Sequence, residues 1–149
     1  MKNFTTGTFM NKKANLTLSN GVRVFGSYIG NKICPWDGGK SQNYNNHRIT
    51  FIEAGKGKRV VFEYWSSIAD RQNKDENEHL PNAVYCILSD AESYIQSLTF
   101  YEFCKNVGCD IDSISALNAF RGCKKSYEKL LQIGFDDGLI SEYAEKYRD

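Results

Sequence analysis

The chain has 149 residues, 41% of them apolar and 13% aromatic, which suits one compact domain with a hydrophobic core and excludes a disordered chain. The net charge of +1 hides an asymmetry. Through Ala69, ten Lys or Arg stand against Asp37, Glu53 and Glu63, giving +7, whereas from Asp70 onward nine stand against fifteen acids, giving −6. Attraction between oppositely charged elements, with lysines guarding sheet edges, would account for this structurally; a basic binding face is the alternative. No run approaches the roughly 18 apolar residues of a membrane span, and Met1-Lys2-Asn3-Phe4-Thr5 does not read as a signal peptide, so a cytoplasmic location is expected.

After a polar start containing Phe4 and Phe9, to which no element is assigned, two-residue alternation begins at Asn15. Leu16 and Leu18 lead into Ser19-Asn20-Gly21, and Val22 and Val24 lead out. A two-residue Asn-Gly turn would set Leu18 opposite Arg23 and split the valines from the leucines. A three-residue loop pairs Leu18 with Val22 and Leu16 with Val24, with Gly21 supplying a left-handed residue. Between Gly30 and Asn46 periodicity is lost and Pro35, Trp36, Gly38 and Gly39 accumulate, predicting a long surface connection in which Trp36 either folds over the core or serves as a binding anchor. A second hairpin follows: Ile49 and Phe51 run into Gly55-Lys56-Gly57-Lys58, and Val60, Phe62 and Tyr64 run out. Val61 and Trp65 give the opposite face apolar character, so this last strand is expected in the middle of the sheet.

The charged run from Asp70 to His79 marks the change from strand to helix. Pro81 suits a first helical turn, and Val84, Ile87, Leu88, Ala91 and Ile95 recur at helical spacing. Thr99 and Glu102 form a capping box for a second helix, whose apolar face is Phe100, Phe103, Cys104 and Val107 and whose stop is Gly108. Asp110 and Asp112-Ser113 offer cap oxygens to a third. There Ala116, Phe120, Cys123, Tyr127, Leu130 and Leu131 make one stripe ending near Gly134. A short fourth helix, capped by Asp136, carries Leu139, Ile140, Tyr143, Ala144 and Tyr147. The expected fold is α+β: an antiparallel sheet of about four strands in two hairpins, then three to four helices packed on one face. The whole of 1–149 is read as a single domain, with a β-rich basic half over 15–69 and a helical acidic half over 81–148.

Constellations that resemble reactive chemistry have simpler explanations. Asp110 and Asp112 lack the later glycine and glutamate of a calcium loop and read as helix caps. Gly55-Lys56-Gly57-Lys58 lacks the length and the Ser or Thr of a phosphate loop. Cys34, His47 and His79 match no ligand signature, nor do Cys104 and Cys109. The five cysteines are odd in number, and Cys86, Cys104 and Cys123 fall on apolar helical faces, so reduced thiols are expected. No catalytic centre, metal or cofactor is predicted.

Three stretches carry a resemblance: Tyr85-Cys86-x-Leu88-Ser89-Asp90-Ala91-x-Ser93-Tyr94; Phe100-x-x-Phe103-Cys104-x-x-x-Gly108-x-Asp110-x-Asp112-Ser113-x-x-Ala116; and Cys123-Lys124-Lys125-x-Tyr127-x-Lys129-Leu130. Together they resemble small uncharacterised proteins of phages, prophages and mobile elements. The likeness covers residues 84 to 131 and reaches weakly to the strand Val61-Phe62-Glu63-Tyr64-Trp65. Cys109 departs from the aromatic of that pattern, and Ile114-Ser115 from its basic pair. The resemblance implies a non-catalytic accessory protein in a bacterial cytoplasm that binds and inhibits a host defence nuclease, in the manner of anti-CRISPR proteins. Direct DNA or RNA binding is the alternative, and an enzyme the third reading. Under either binding reading the candidate contacts are Lys56, Lys58, Arg59 and Arg48 with the aromatics Trp36, Tyr44 and Tyr64, a mixture suited to phosphate contact and base stacking.

Overall fold

The computed structural model describes residues 13–33, 43–67 and 79–147. Four strands, β1 (Lys13–Thr17), β2 (Arg23–Ile33), β3 (Asn43–Ile52) and β4 (Arg59–Ser67), form an antiparallel sheet in the order β1-β2-β3-β4. Four helices follow: α1 (His79–Gln96), α2 (Phe100–Val107), α3 (Ile114–Leu131) and α4 (Asp137–Lys146). The fold is therefore α+β. The chain divides into two compact units, Met1–Val84 and Tyr85–Asp149, and the division falls inside α1 rather than in the charged run before it.

In the first unit, the β1–β2 connection is the three-residue loop. Leu16 pairs with Val24, the Leu18 amide donates to the Val22 carbonyl at 2.8 Å, and Gly21 sits at φ 87°. The Asn20 side-chain oxygen accepts from the Val22 amide at 3.1 Å, closing the turn. This register gathers Leu16, Leu18, Val22 and Val24 on one face. There they meet Ile49, Phe51, Val60 and Phe62 from β3 and β4, all buried. Phe51 and Phe62 are diagonal neighbours packed edge to face, 5.2 Å between centroids. Leu80, Ala83 and Val84, the opening turns of α1, belong to the same unit and are fully buried.

Two expectations are corrected here. Among the described residues β4 lies at the edge of the sheet, not its middle; on its second face Val61 is 44% exposed and Trp65 half-buried, so apolar character there does not mark a central strand. Residues 30–33 and 43–46 of the expected connection are strand instead, because β2 runs on to Ile33 and β3 begins at Asn43. Between Tyr28 and Gly30 the register shifts by one residue, and Gly30 takes φ 121°. That bulge breaks the period-2 pattern without ending the strand.

The helical unit follows its capping signals closely. The Thr99–Glu102 box is complete, with Glu102 N–H donating to Thr99 Oγ1 at 3.1 Å and Thr99 N–H to Glu102 Oε1 at 3.2 Å. Gly108 ends α2 in the left-handed region. Ser113 caps α3 through its hydroxyl oxygen, while Asp110 Oδ1 accepts from the Asp112 amide and orders the turn before it. Asp136 caps α4. Phe103 is buried, and Phe120 is half-buried among the rings of Tyr94, Phe100 and Phe103 at centroid distances of 5.4 to 5.8 Å. Leu131 and Val107, expected on the buried stripes, are exposed; each lies in the last turn of its helix.

Candidate nucleic-acid interface

Alternation along strands held in register sorts side chains onto two faces, and it decides which predicted contacts can act together. Opposite the core face, three cross-strand rows follow one another along the sheet. The first is Thr17, Arg23, Ile52, Arg59; the second is Asn15, Phe25, Thr50, Val61; the third includes Ser27, Arg48 and Glu63. Arg23, Arg48, Arg59, Asn15, Thr17 and Val61 are exposed, Phe25 and Thr50 are half-buried, and Ile52 alone among those described in these rows is buried. A partly open aromatic and aliphatic row thus lies between two rows that carry arginine.

Arg23 and Phe25 interact directly, the guanidinium carbon standing 5.8 Å from the ring centroid. Arg48 faces Glu63 across the β3–β4 pair, the one acid in the described rows of this face. Lys56 and Lys58 project with Arg59 at the β3–β4 turn, which is closed by Glu53 N–H to Lys58 O at 2.8 Å and by Gly57 N–H to Glu53 O at 3.0 Å. Gly55 and Gly57 take φ 77° and 75° there, the left-handed geometry that makes so tight a tip possible. Among side chains described between Asn15 and Trp65, five cations stand against Glu53 and Glu63. The local field therefore favours an anionic partner.

Of the contacts read from sequence, Arg48 and Arg59 share this face of the sheet, and Lys56 and Lys58 are exposed in the turn next to Arg59. Tyr64 does not share that face. It sits opposite His47 on the other face, where the fully buried imidazole lies between Tyr28 and Tyr64 at centroid distances of 5.6 and 5.8 Å. Tyr44 holds a β3 register position between Lys32 and Ser67, and Trp36 and Cys34 lie outside the described residues. Arg23 and Phe25 went unrecognised as contacts although their signal was present: the loop that buries Val22 and Val24 turns Arg23 and Phe25 outward. Among the described residues no group of three or more His, Cys, Asp or Glu could hold a metal ion, and no helix is long and apolar enough to cross a membrane.

Burial raises the Cys123 thiol to about 12, helped by the nearby Asp90 carboxylate, and burial likewise raises Cys104, helped by Cys109 and Asp110. Both thiols are buried, which suits their reading as small apolar residues. Comparison of the chain with protein-family models, with curated proteins and with solved structures finds no match.

Proposed function

We propose that this protein is a nucleic-acid-binding module whose contact surface is the solvent-facing side of its β-sheet together with the β3–β4 tip. The observation that carries the reading is the set of exposed cations Arg23, Arg48 and Arg59 on one face of a sheet whose opposite face is core, with the exposed Lys56 and Lys58 in the adjoining β3–β4 turn. Phosphate contact by exposed Lys and Arg supplies sequence-independent affinity and displaces condensed counterions. Such contacts need no reactive group, so the protein acts by occupancy.

The experiment is a salt titration of binding to a labelled mixed-sequence oligonucleotide, comparing the native chain with Lys56→Ser/Lys58→Ser/Arg59→Ser. All three positions are exposed, so the folded structure should persist, as a thermal melt would verify. The reading expects weaker binding and a slope of log affinity against log salt reduced by up to about three contacts. Unchanged affinity and slope would reject it. A host protein retained on the immobilised chain after nuclease digestion, and lost with the triple variant, would instead favour an inhibitor of a defence nuclease that uses the same basic surface.

A further inference from the structure

We infer that the ligand is single-stranded nucleic acid laid across the open sheet face, with Phe25 as a base-stacking anchor held under Arg23; this rests on the nucleic-acid reading above and names its ligand class. A basic hairpin tip alone would serve a duplex equally well, since a two-stranded ribbon can enter the major groove. The arrangement behind the tip distinguishes the two. Phe25, Thr50 and Val61 form a row across β2, β3 and β4, bordered on one side by Arg23 and Arg59 and on the other by Arg48. Along a strand, same-face residues recur about every 6.8 Å, so each arginine row lies within side-chain reach of a base resting on the central row.

Phe25 is half-buried, its ring accompanied on one side by the Arg23 guanidinium at 5.8 Å. The accessible part of a half-buried ring beside an arginine can give a base stacking and cation–π contact at once, and any base presents a π-face to it. Duplex DNA hides those faces within its stack and could meet this surface only through its backbone and the base edges in its grooves. Val61, 44% exposed at the sheet edge, extends the apolar platform by one residue in the direction of Arg59. Exposed aromatics on a four-stranded sheet are a general solution to holding unstacked bases.

The test is fluorescence anisotropy with a labelled 12-nucleotide DNA strand, the matching RNA strand and the 12-base-pair duplex, at one salt concentration. The proteins are native, Phe25→Leu and Arg23→Gln. Leucine keeps apolar volume and removes the π-face, so thermal stability should change little. The single strands are expected to bind at least tenfold tighter than the duplex. Phe25→Leu should weaken single-strand binding about five- to tenfold with an unchanged salt slope, and Arg23→Gln should weaken it while lowering the slope by about one. Preference for DNA over RNA, or the reverse, would identify the source of the strand. Equal or tighter duplex binding, or a Phe25→Leu protein with native single-strand affinity and a native melt, would overturn this inference while leaving the basic-surface reading intact. Failure to bind any of the three would overturn both.

Discussion

Arg23 and Phe25, two residues apart on β2, stand on the same face of the sheet with the guanidinium carbon 5.8 Å from the ring centroid. Their positions follow from the β1–β2 loop, because a loop one residue shorter would have moved Arg23 opposite Leu18 and turned the pair toward the core. The local geometry at Gly21 thus determines what the sheet presents to solvent.

That dependence is measurable. At Gly21, with φ 87°, an added Cβ would come within 3.0 Å of the Ala54 side chain, whereas at Gly57, with φ 75°, it would meet open space. Both replacements by alanine incur left-handed strain, about 1–2 kcal/mol. Gly21→Ala adds the cost of displacing Ala54 and should be the more destabilising in urea unfolding. Equal losses would mean that the Ala54 contact relaxes without cost.

Phe103 is buried and Phe120 half-buried at the centre of an aromatic group with Tyr94 and Phe100. Phe103→Ala should cost about 3–5 kcal/mol, and Phe120→Ala about half as much because part of its ring already meets water. Denaturant midpoints of the two variants check this order, and a loss below about 1 kcal/mol for Phe103 would remove it from the core.

Thiol reactivity should divide the cysteines described. Cys109 is exposed, whereas Cys104 and Cys123 are buried, with the Cys123 thiol held up at about 12. At pH 8 the Cys123 thiolate fraction is then about one in ten thousand. Mass spectrometry after brief iodoacetamide treatment should find Cys109 modified and Cys104 and Cys123 untouched until denaturant is added. Rapid native labelling of Cys123 would contradict its burial.

Asp90 on α1 keeps an exposed side, yet desolvation by the surrounding protein raises its carboxyl from 3.8 to about 6. A raised carboxyl pKa means that the folded state binds the proton more tightly than the unfolded chain. The ionised group therefore costs stability above both values, and the cost disappears as pH falls from about 6 through 3.8. Asp90→Asn should raise the melting temperature modestly at pH 7.5, the gain being limited by solvent screening, and should leave it unchanged near pH 3.5. The same shift at both pH values would show that the effect is not the carboxylate's charge.

The signals that read through from sequence to structure are local. The Ser19-Asn20-Gly21 loop, the Thr99–Glu102 box, Gly108 and Asp136 each satisfy or position backbone groups within a few residues, so neighbouring side chains suffice to specify them. Strand order is not local. Val61 and Trp65 suggested a strand covered on both sides, but whether another strand lies beyond β4 depends on pairing that its own residues do not encode. The bulge between Tyr28 and Gly30 hid the continuation of β2 for a related reason: one extra residue shifts the alternation while the ladder to β3 persists. The candidate interface was half legible. Lys56, Lys58 and Arg59 adjoin in sequence at a tip, whereas the face shared by Arg23, Phe25, Arg48 and Val61 emerges only from the register of three strands.

The measurement that bears most directly on the sheet face as a binding surface is an amide chemical-shift titration of the labelled protein with a 12-nucleotide single strand. The largest changes are expected at Arg23, Phe25, Arg48, Thr50, Arg59 and Val61, with smaller ones at Lys56 and Lys58, and the helical unit from Tyr85 onward should be nearly silent. Changes concentrated on α2 and α3 with the sheet unperturbed, or no changes at oligonucleotide excess, would contradict it.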